Sequence, residues 1–209
     1  TESTAHVKLE YLDGSVQDVP VTVPAQSQVY FDVNNANLHP LLSCNCQPSA
    51  SHSTEVTAPS ASIVAERLMY FHFGGVPLPG ASDAVGEAGP ASHANYAFSE
   101  GMTLGNWREF ITLQNPGASA VDVVVTLYTG GTVIQKTVEL KPHSRSTVDV
   151  NALVVPMSRA YNPPGAYEVS ASIQALNGSI VAERPLYFQF GTGNPPNKGG
   201  TSFPGYTGS

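Results

Sequence analysis

Alternation of apolar and polar residues is the dominant pattern along this chain, and it predicts β-strands. The longest example covers residues 166–175, where apolar residues occupy one face and polar residues the other. A second example follows Trp107, with Ile111 and Leu113 on a shared face. A period of two residues is typical of strands buried on one side. No window has the 3.6-residue apolar spacing of an amphipathic helix, and we expect only one short helical turn, at residues 151–155.

Turn residues separate the predicted strands. Asp13-Gly14 and Gly130-Gly131 each lie between two alternating runs, which is the chemistry of β-hairpins. Asn115-Pro116-Gly117 ends the strand that follows Trp107. Many short strands separated by turns predict an all-β fold of the immunoglobulin-like sandwich type.

The chain contains an internal repeat with an offset of 117 residues. The sequence IVAER at residues 63–67 returns at residues 180–184. Residues 4–75 align with residues 121–192 without a gap and are identical at 22 of the 72 positions. A gapless match of this length predicts a duplicated module, so we expect two tandem sandwich repeats.

The second copy is preceded by a segment that has no equivalent before the first copy. The large side chains in residues 93–117 include Tyr96, Phe98, Trp107, Phe110, Ile111 and Leu113. Burial of each contributes about 1.5–3 kcal/mol, so their sum is comparable with the net stability of a whole domain, about 5–15 kcal/mol. We therefore expect the first repeat to lack its first strands and to be completed by an adjacent repeat or by another copy of the chain.

These patterns divide the chain into four parts. They predict an incomplete first β-sandwich repeat at residues 1–75, a Gly/Pro/Ala linker at 76–94, a second β-sandwich repeat at 95–192 and a Gly/Pro-rich tail at 193–209. Segments rich in glycine and proline are extended and contribute few side chains to a core. Phe203 and Tyr206 are the large residues of the tail, and they either anchor it on a neighbouring subunit or belong to a frayed terminus.

Composition excludes several classes of function. Among 209 residues, 9 are Lys or Arg and 16 are Asp or Glu, which gives a net charge of −7. No basic excess is present to neutralise nucleic-acid phosphates. No apolar run approaches the roughly 20 residues that a membrane span requires. We therefore expect neither a nucleic-acid partner nor membrane insertion, and the 41% of hydrophobic residues favours a packed core over disorder.

No motif points to catalysis, a metal or a cofactor. The six histidines include no closely spaced pair of metal ligands. The sequence has no G-x-S-x-G elbow, no phosphate-binding glycine motif and no calcium-loop pattern. We expect a protein that is not an enzyme and has no catalytic, metal or cofactor site.

Three ordered motifs resemble a bacterial family of tandem β-sandwich repeats from secreted and cell-surface proteins. They are Y-x-F-x-E-G at residues 96–101, W-R-E-F-I-T-L-Q-N-P at 107–116 and I-V-A-E-R-P-L-Y-F at 180–188. The first copy has only the third motif, with Leu68 in place of the proline. The resemblance implies an extracellular, modular and non-catalytic role.

The pairs Glu66-Arg67 and Glu183-Arg184 recur in the two copies. Alternation along a strand places the two side chains of each pair on opposite faces. We interpret them as structural ion pairs inside each sandwich, with Arg108 or Glu109 as further partners. The alternative is a ligand-binding carboxylate or an ion pair at an interface.

Cys44 and Cys46 lie in a predicted loop where the second copy has Tyr161 and Pro163. Two cysteines supply too few ligands for a structural zinc site. A bond between them would close a small, strained ring. Disulfides between chains in an oxidising compartment are the sharper hypothesis, and free thiols are the alternative.

These features predict a structural subunit or segment of an extracellular bacterial surface assembly, such as a fibre, stalk or sheath. Its modules would join head-to-tail by β-strand complementation, so its partners are other copies of itself or adjacent repeats. The alternative is a non-catalytic adhesion or carbohydrate-binding module that contacts surface glycans through Trp107, Tyr161 and Tyr206. Trp107 alternates with core positions, so we expect it to be buried.

Overall fold

The computed structural model describes residues 2–33, 51–71, 80–86, 92–154, 168–190 and 197–207. These residues form antiparallel β-strands and one short helix, so the prediction of an all-β fold is confirmed. No helix among the described residues is long and apolar enough to cross a membrane.

The first five strands form two separate sheets, which we call the N-terminal sheets. The strands are β1 (Ser3–Tyr11), β2 (Val16–Val23), β3 (His52–Thr57), β4 (Glu66–Phe71) and β5 (Gly80–Val85). One sheet has the order β2-β1-β3, and the other pairs β4 with β5. The alternation in β1 turns Val7, Leu9 and Tyr11 to one buried face.

The remaining strands form two four-stranded sheets, which we call the C-terminal sheets. The elements are β6 (Asn95–Phe98), β7 (Arg108–Asn115), β8 (Val121–Thr129), β9 (Thr132–Leu140), β10 (Ser144–Asp149), α1 (Val150–Val154), β11 (Ser170–Ala175), β12 (Val181–Phe190) and β13 (Asn197–Pro204). The strand orders are β6-β11-β8-β9 and β10-β7-β12-β13. Both sheets contribute to one hydrophobic core, which includes Phe98, Ile111, Val125 and Ile173.

The strand register determines how β1 corresponds to β8. Leu9 lies opposite Thr54, and Leu127 lies opposite Ala171. The two partners are 117 residues apart, whereas Leu9 and Leu127 are 118 apart. Along β1 the structural correspondence with β8 therefore has an offset of 118 residues, one more than the 117 of the sequence alignment.

The hairpin turns account for this shift of one residue. Five residues, 11–15, lie between the paired residues Glu10 and Val16 of the first hairpin, whereas four residues lie between Tyr128 and Val133 of the second, among them Gly130 and Gly131. Both of these glycines have a positive φ, which a two-residue hairpin of this kind requires. The longer first turn leaves Tyr11 fully buried, whereas Tyr128, its counterpart at an offset of 117, is 44% exposed.

Two segments predicted to be a linker and a tail each contain a strand. β5 lies within residues 76–94 and pairs with β4, and β13 lies within residues 193–209 and pairs with β12. The hydrophobic pattern does not reveal these strands because few of their residues are large and apolar. Over residues 197–207 the tail is therefore an ordered part of the fold and not a frayed terminus.

Glycines allow β13 to lie close to the aromatic rings of β12. A Cβ atom at Gly199 would lie 2.6 Å from Cζ of Phe188. A Cβ atom at Gly200 would lie 2.8 Å from Cδ1 of Tyr187. Side chains at these two positions would push the strands apart, so the composition that obscures β13 in the sequence is what its packing requires.

Candidate functional site

The open edges of β3 and β4 distinguish the N-terminal sheets from the C-terminal sheets. β11 pairs with β6 on the side away from β8, and β12 pairs with β7 on the side away from β13. Within the described ranges, β3 has no strand beside it other than β1, and β4 pairs with β5 alone. Edge strands present backbone N–H and C=O groups that can pair with a further strand. The candidate site consists of these two edges and residues 27–32.

Residues 27–32 follow a turn that is repeated in the second copy. Gln26 and His143 both have left-handed backbone, with φ of 53° and 48°. The hydroxyls of Ser27 and Ser144 each donate to the carbonyl three residues earlier, at 2.7 and 2.8 Å. After this shared turn the copies diverge, because β10 pairs with β7 whereas residues 27–32 form no strand.

Large apolar side chains at the candidate site are strongly exposed. Tyr30 is 84% exposed, Val64 83% and Tyr70 71%. Ile180, on the strand-like stretch that leads into β12, is fully buried, whereas its counterpart Ile63 is only half-buried. The backbone of Ile180 exchanges hydrogen bonds of 2.8 and 3.0 Å with His93, which precedes β6.

The buried core beneath the N-terminal sheets is small. Among the described residues it contains three buried side chains, against 19 in the core of the C-terminal sheets. The buried three are Val7, Leu9 and Tyr11, with Val21, Phe31, Val33 and Val56 packed against them. Stabilisation by the hydrophobic effect scales with the apolar area removed from water, so the described part of the N-terminal sheets has much less of it.

The three motifs of the second copy meet at one buried cluster. Glu109 is fully buried, and its carboxylate occupies the space that a Cβ atom at Gly101 would need. The Arg184 guanidinium lies 5.3 Å from the centroid of the Phe98 ring, within the range of a cation–π contact. The cluster therefore joins β6 and β7 to β12.

Burial dominates the electrostatics of this cluster. It raises the pKa of Glu109 to about 7, although the positive charge of Arg184 acts in the opposite direction. Burial likewise lowers the pKa of Arg184, and the carboxylates of Glu109 and Glu100 oppose that change. Glu109 is the predicted further partner whose charge interacts with that of Arg184, and a structural role for the two residues stays a prediction.

Arg67, the first-copy counterpart of Arg184, has a different partner. Its Nη2 atom donates to Oε2 of Glu183 at 3.2 Å. Both side chains remain partly exposed. The pair joins β4 to β12, so it lies between the two halves of the chain. The sequence analysis predicted ion pairs inside each sandwich. Within the described ranges β4 pairs with β5 alone, so no strand equivalent to β7 supplies it with a carboxylate like that of Glu109, and Glu66 is exposed.

A second polar contact between the two halves is centred on Glu10, which sequence reasoning missed. Glu10 is fully buried, with Oε1 2.7 Å from Nζ of Lys8 and 3.5 Å from Nδ1 of His143. Nε2 of Gln114 donates to its Oε2 at 2.8 Å. Burial acts to lower the pKa of Lys8, but Glu10 and Glu55 outweigh it and raise the pKa above its ordinary value. A lone glutamate in an alternating strand gave no signal of this contact.

The aromatic residues predicted to bind glycans differ in their surroundings. Trp107 is half-buried, with its ring centroid 5.1 Å from that of Phe188. The Tyr206 side chain is 74% exposed, but its backbone exchanges hydrogen bonds of 2.7 and 2.9 Å with Ala97 of β6. Tyr161 lies outside the described residues.

The other predicted site residues are distributed as follows. Phe203 is 47% exposed on β13, so a role for it and Tyr206 as anchors between subunits stays a prediction. Cys44 and Cys46 lie outside the described residues, so a disulfide at these positions stays a prediction. In the part of the chain that the structure describes, no group of three or more His, Cys, Asp or Glu side chains is placed to hold a metal ion.

Comparison with known proteins adds little to this picture. No protein-family model matches the chain, and no curated protein matches it. A solved structure with some similarity is described as the crystal structure of Thermotoga maritima 1070. It is 14% identical, with a TM-score of 0.43, over 56% of this chain and 97% of that chain. A similarity this weak supports no conclusion about this protein.

Proposed function

We propose that the chain contains two tandem immunoglobulin-like repeats, with a period of 117 residues except along β1, and that the first repeat lacks strands equivalent to β6 and β7. The strand order β2-β1-β3 matches β9-β8-β11, and the pair β4-β5 matches β12-β13. The turns that end at Ser27 and Ser144 share backbone conformation and hydrogen bonding. These correspondences support a duplicated module.

The proposed function is that of a structural subunit or segment of an extracellular bacterial surface assembly, such as a fibre, stalk or sheath. Its modules join head-to-tail by addition of β-strands to open edges. The observation that carries this proposal is the pair of open edges at β3 and β4, beside exposed apolar residues, where β11 and β12 have β6 and β7. The extracellular location rests on the resemblance of the three motifs to secreted and cell-surface repeats.

Light scattering over a concentration series of the full-length protein, combined with electron microscopy, tests this proposal. The mean mass should rise with concentration, and elongated particles should appear. Reductant in half of the samples separates strand addition from disulfides of Cys44 and Cys46. A protein that stays monomeric at high concentration would contradict the proposal.

A matched pair of variants shows whether the open edge is responsible. Leu68 and Leu176 are both 57% exposed, but only Leu68 lies on β4. A charge on an edge strand opposes pairing with another strand. Leu68→Lys should therefore reduce assembly, whereas Leu176→Lys should leave it unchanged. Equal effects of the two substitutions would mean that general surface hydrophobicity drives the association.

A further inference from the structure

We infer that the open edges of β3 and β4 accept a two-strand segment of the β6–β7 type from another module of the same repeat, in the register that β6 and β7 adopt beside β11 and β12. This inference rests on the proposed function and identifies the donor. The chain's own β6 and β7 already complete the C-terminal sheets, so the donor belongs to a different module.

The edge of β3 fits a strand like β6. Tyr96 lies opposite Ile173, and both side chains are almost fully buried. The counterpart of Ile173 is Val56, which is only half-buried. A donor aromatic residue equivalent to Tyr96 would lie opposite Val56 and cover it, so this edge selects a short strand with an inward-facing aromatic side chain.

The edge of β4 fits a strand like β7. Thr112 lies opposite Glu183, so the same offset places the donor's equivalent of Thr112 opposite Glu66. On its other side β7 pairs with β10, and the offset places the donor's equivalent of Ile111 opposite Phe31. Insertion of this strand would give residues 27–32 the neighbour that β10 has, and it would convert them into a strand.

Charge complementarity favours the same donor. Glu109 on β7 is buried near Arg184, and the corresponding cation in the first copy is Arg67. A donor carboxylate equivalent to Glu109 would approach Arg67, which at present reaches the partly exposed Glu183. Complementary charges at buried positions discriminate between partners, so unrelated strands should bind less well.

Site-directed disulfide formation tests both the donor and the register. The probe is a synthetic peptide of residues 93–117 carrying Thr112→Cys. The receptor is the full-length protein with Glu66→Cys, in a background where Cys44 and Cys46 are replaced by serine. Because a disulfide requires Cα atoms within about 7 Å, the correct register should cross-link at least about tenfold more than a peptide carrying Gln114→Cys.

A matched receptor excludes exchange into the second copy. Glu183→Cys occupies the equivalent position on β12, where the chain's own β7 lies, and it should not cross-link. The inference would be overturned by any of three results. These are equal yields from the two registers, equal yields from Glu66→Cys and Glu183→Cys, or no cross-link at all. Assembly in the scattering experiment without a register-specific cross-link rejects this donor and leaves the proposed function standing. A cross-link in a protein that never assembles retains the donor and rejects self-assembly.

Discussion

Arg67 of β4 donates a hydrogen bond to Glu183 of β12, so one member of the first Glu-Arg pair meets one member of the second. The contact connects the two halves of the chain through partly exposed side chains. Exposed ion pairs contribute little because water and salt screen them.

We therefore expect the Arg67–Glu183 pair to orient the two halves without stabilising them strongly. A double-mutant cycle with Arg67→Ala and Glu183→Gln should give a coupling free energy of about 0.2–1 kcal/mol, measured by denaturant unfolding. The coupling should shrink as salt is added. A coupling above about 2 kcal/mol that salt does not change would show that the pair is desolvated.

Glu109 should make the free energy of unfolding depend on pH. Its pKa is raised from 4.5 to about 7 by burial, so the folded state binds this proton more tightly than the unfolded state does. The resulting contribution is fully present below pH 4.5 and is lost as the pH rises toward 7. Its size should be about 1–3 kcal/mol.

The comparison of wild type with Glu109→Gln isolates this effect. The difference in unfolding free energy between the two proteins should change between pH 4.5 and 7 and stay constant above pH 8. Glu139→Gln, on exposed β9 surface, is the control and should not alter the pH profile. Arg184 and Glu100 are the charged groups that face this cluster. If the unfolding free energies of wild type and Glu109→Gln changed in parallel with pH, Glu109 would not be the source of the pH dependence.

Gly101→Ala should destabilise the second copy. The added Cβ atom would collide with the Glu109 carboxylate, which is fully buried and has little room to move. Overpacking of this kind costs about 1–3 kcal/mol and should lower Tm by several degrees. Glu109→Asp has a shorter side chain and should rescue part of the loss in the double variant. Full stability of Gly101→Ala alone would show that the cluster is loosely packed.

Sequence patterns predict the strands of this protein where one face is buried. Ile111, Leu113 and Ile173 alternate with polar residues because one side of each strand faces the core. The short helix at Val150–Val154 also lies where the sequence predicts a helical turn. That the first repeat lacks strands equivalent to β6 and β7 stays a prediction from the same reasoning.

The features that the sequence does not reveal are those set by contacts between distant residues. β13 is stabilised by pairing with β12 and by rings that lie over Gly199 and Gly200, so its own side chains carry no pattern. The shift in β1 arises in a turn and becomes visible only through the partners of Leu9. The Glu10 cluster joins two halves whose relative position no local pattern specifies.

Gly200→Val should detach β13 from β12. The larger side chain would overlap the ring of Tyr187, and the loss should be about 1–3 kcal/mol. Hydrogen exchange of the amides of residues 197–204 should speed up strongly, whereas exchange in β8 and β11 should not change. Thr201→Ala, one position along β13, is the control and should preserve slow exchange. Unchanged protection in Gly200→Val would contradict the role given to this glycine.

Hydrogen–deuterium exchange of the full-length protein at low and high concentration tests the central claim most directly. In dilute protein, the amides of residues 27–32, and those of 62–68 that do not face β5, should exchange rapidly, while their counterparts at 144–149 and 179–185 are protected by β7 and by the bridge between His93 and Ile180. At concentrations where particles grow, residues 27–32 and 62–68 should become protected as well. If these segments are already as protected in the monomer as their second-copy counterparts, the first module is complete by itself and strand addition is not its function.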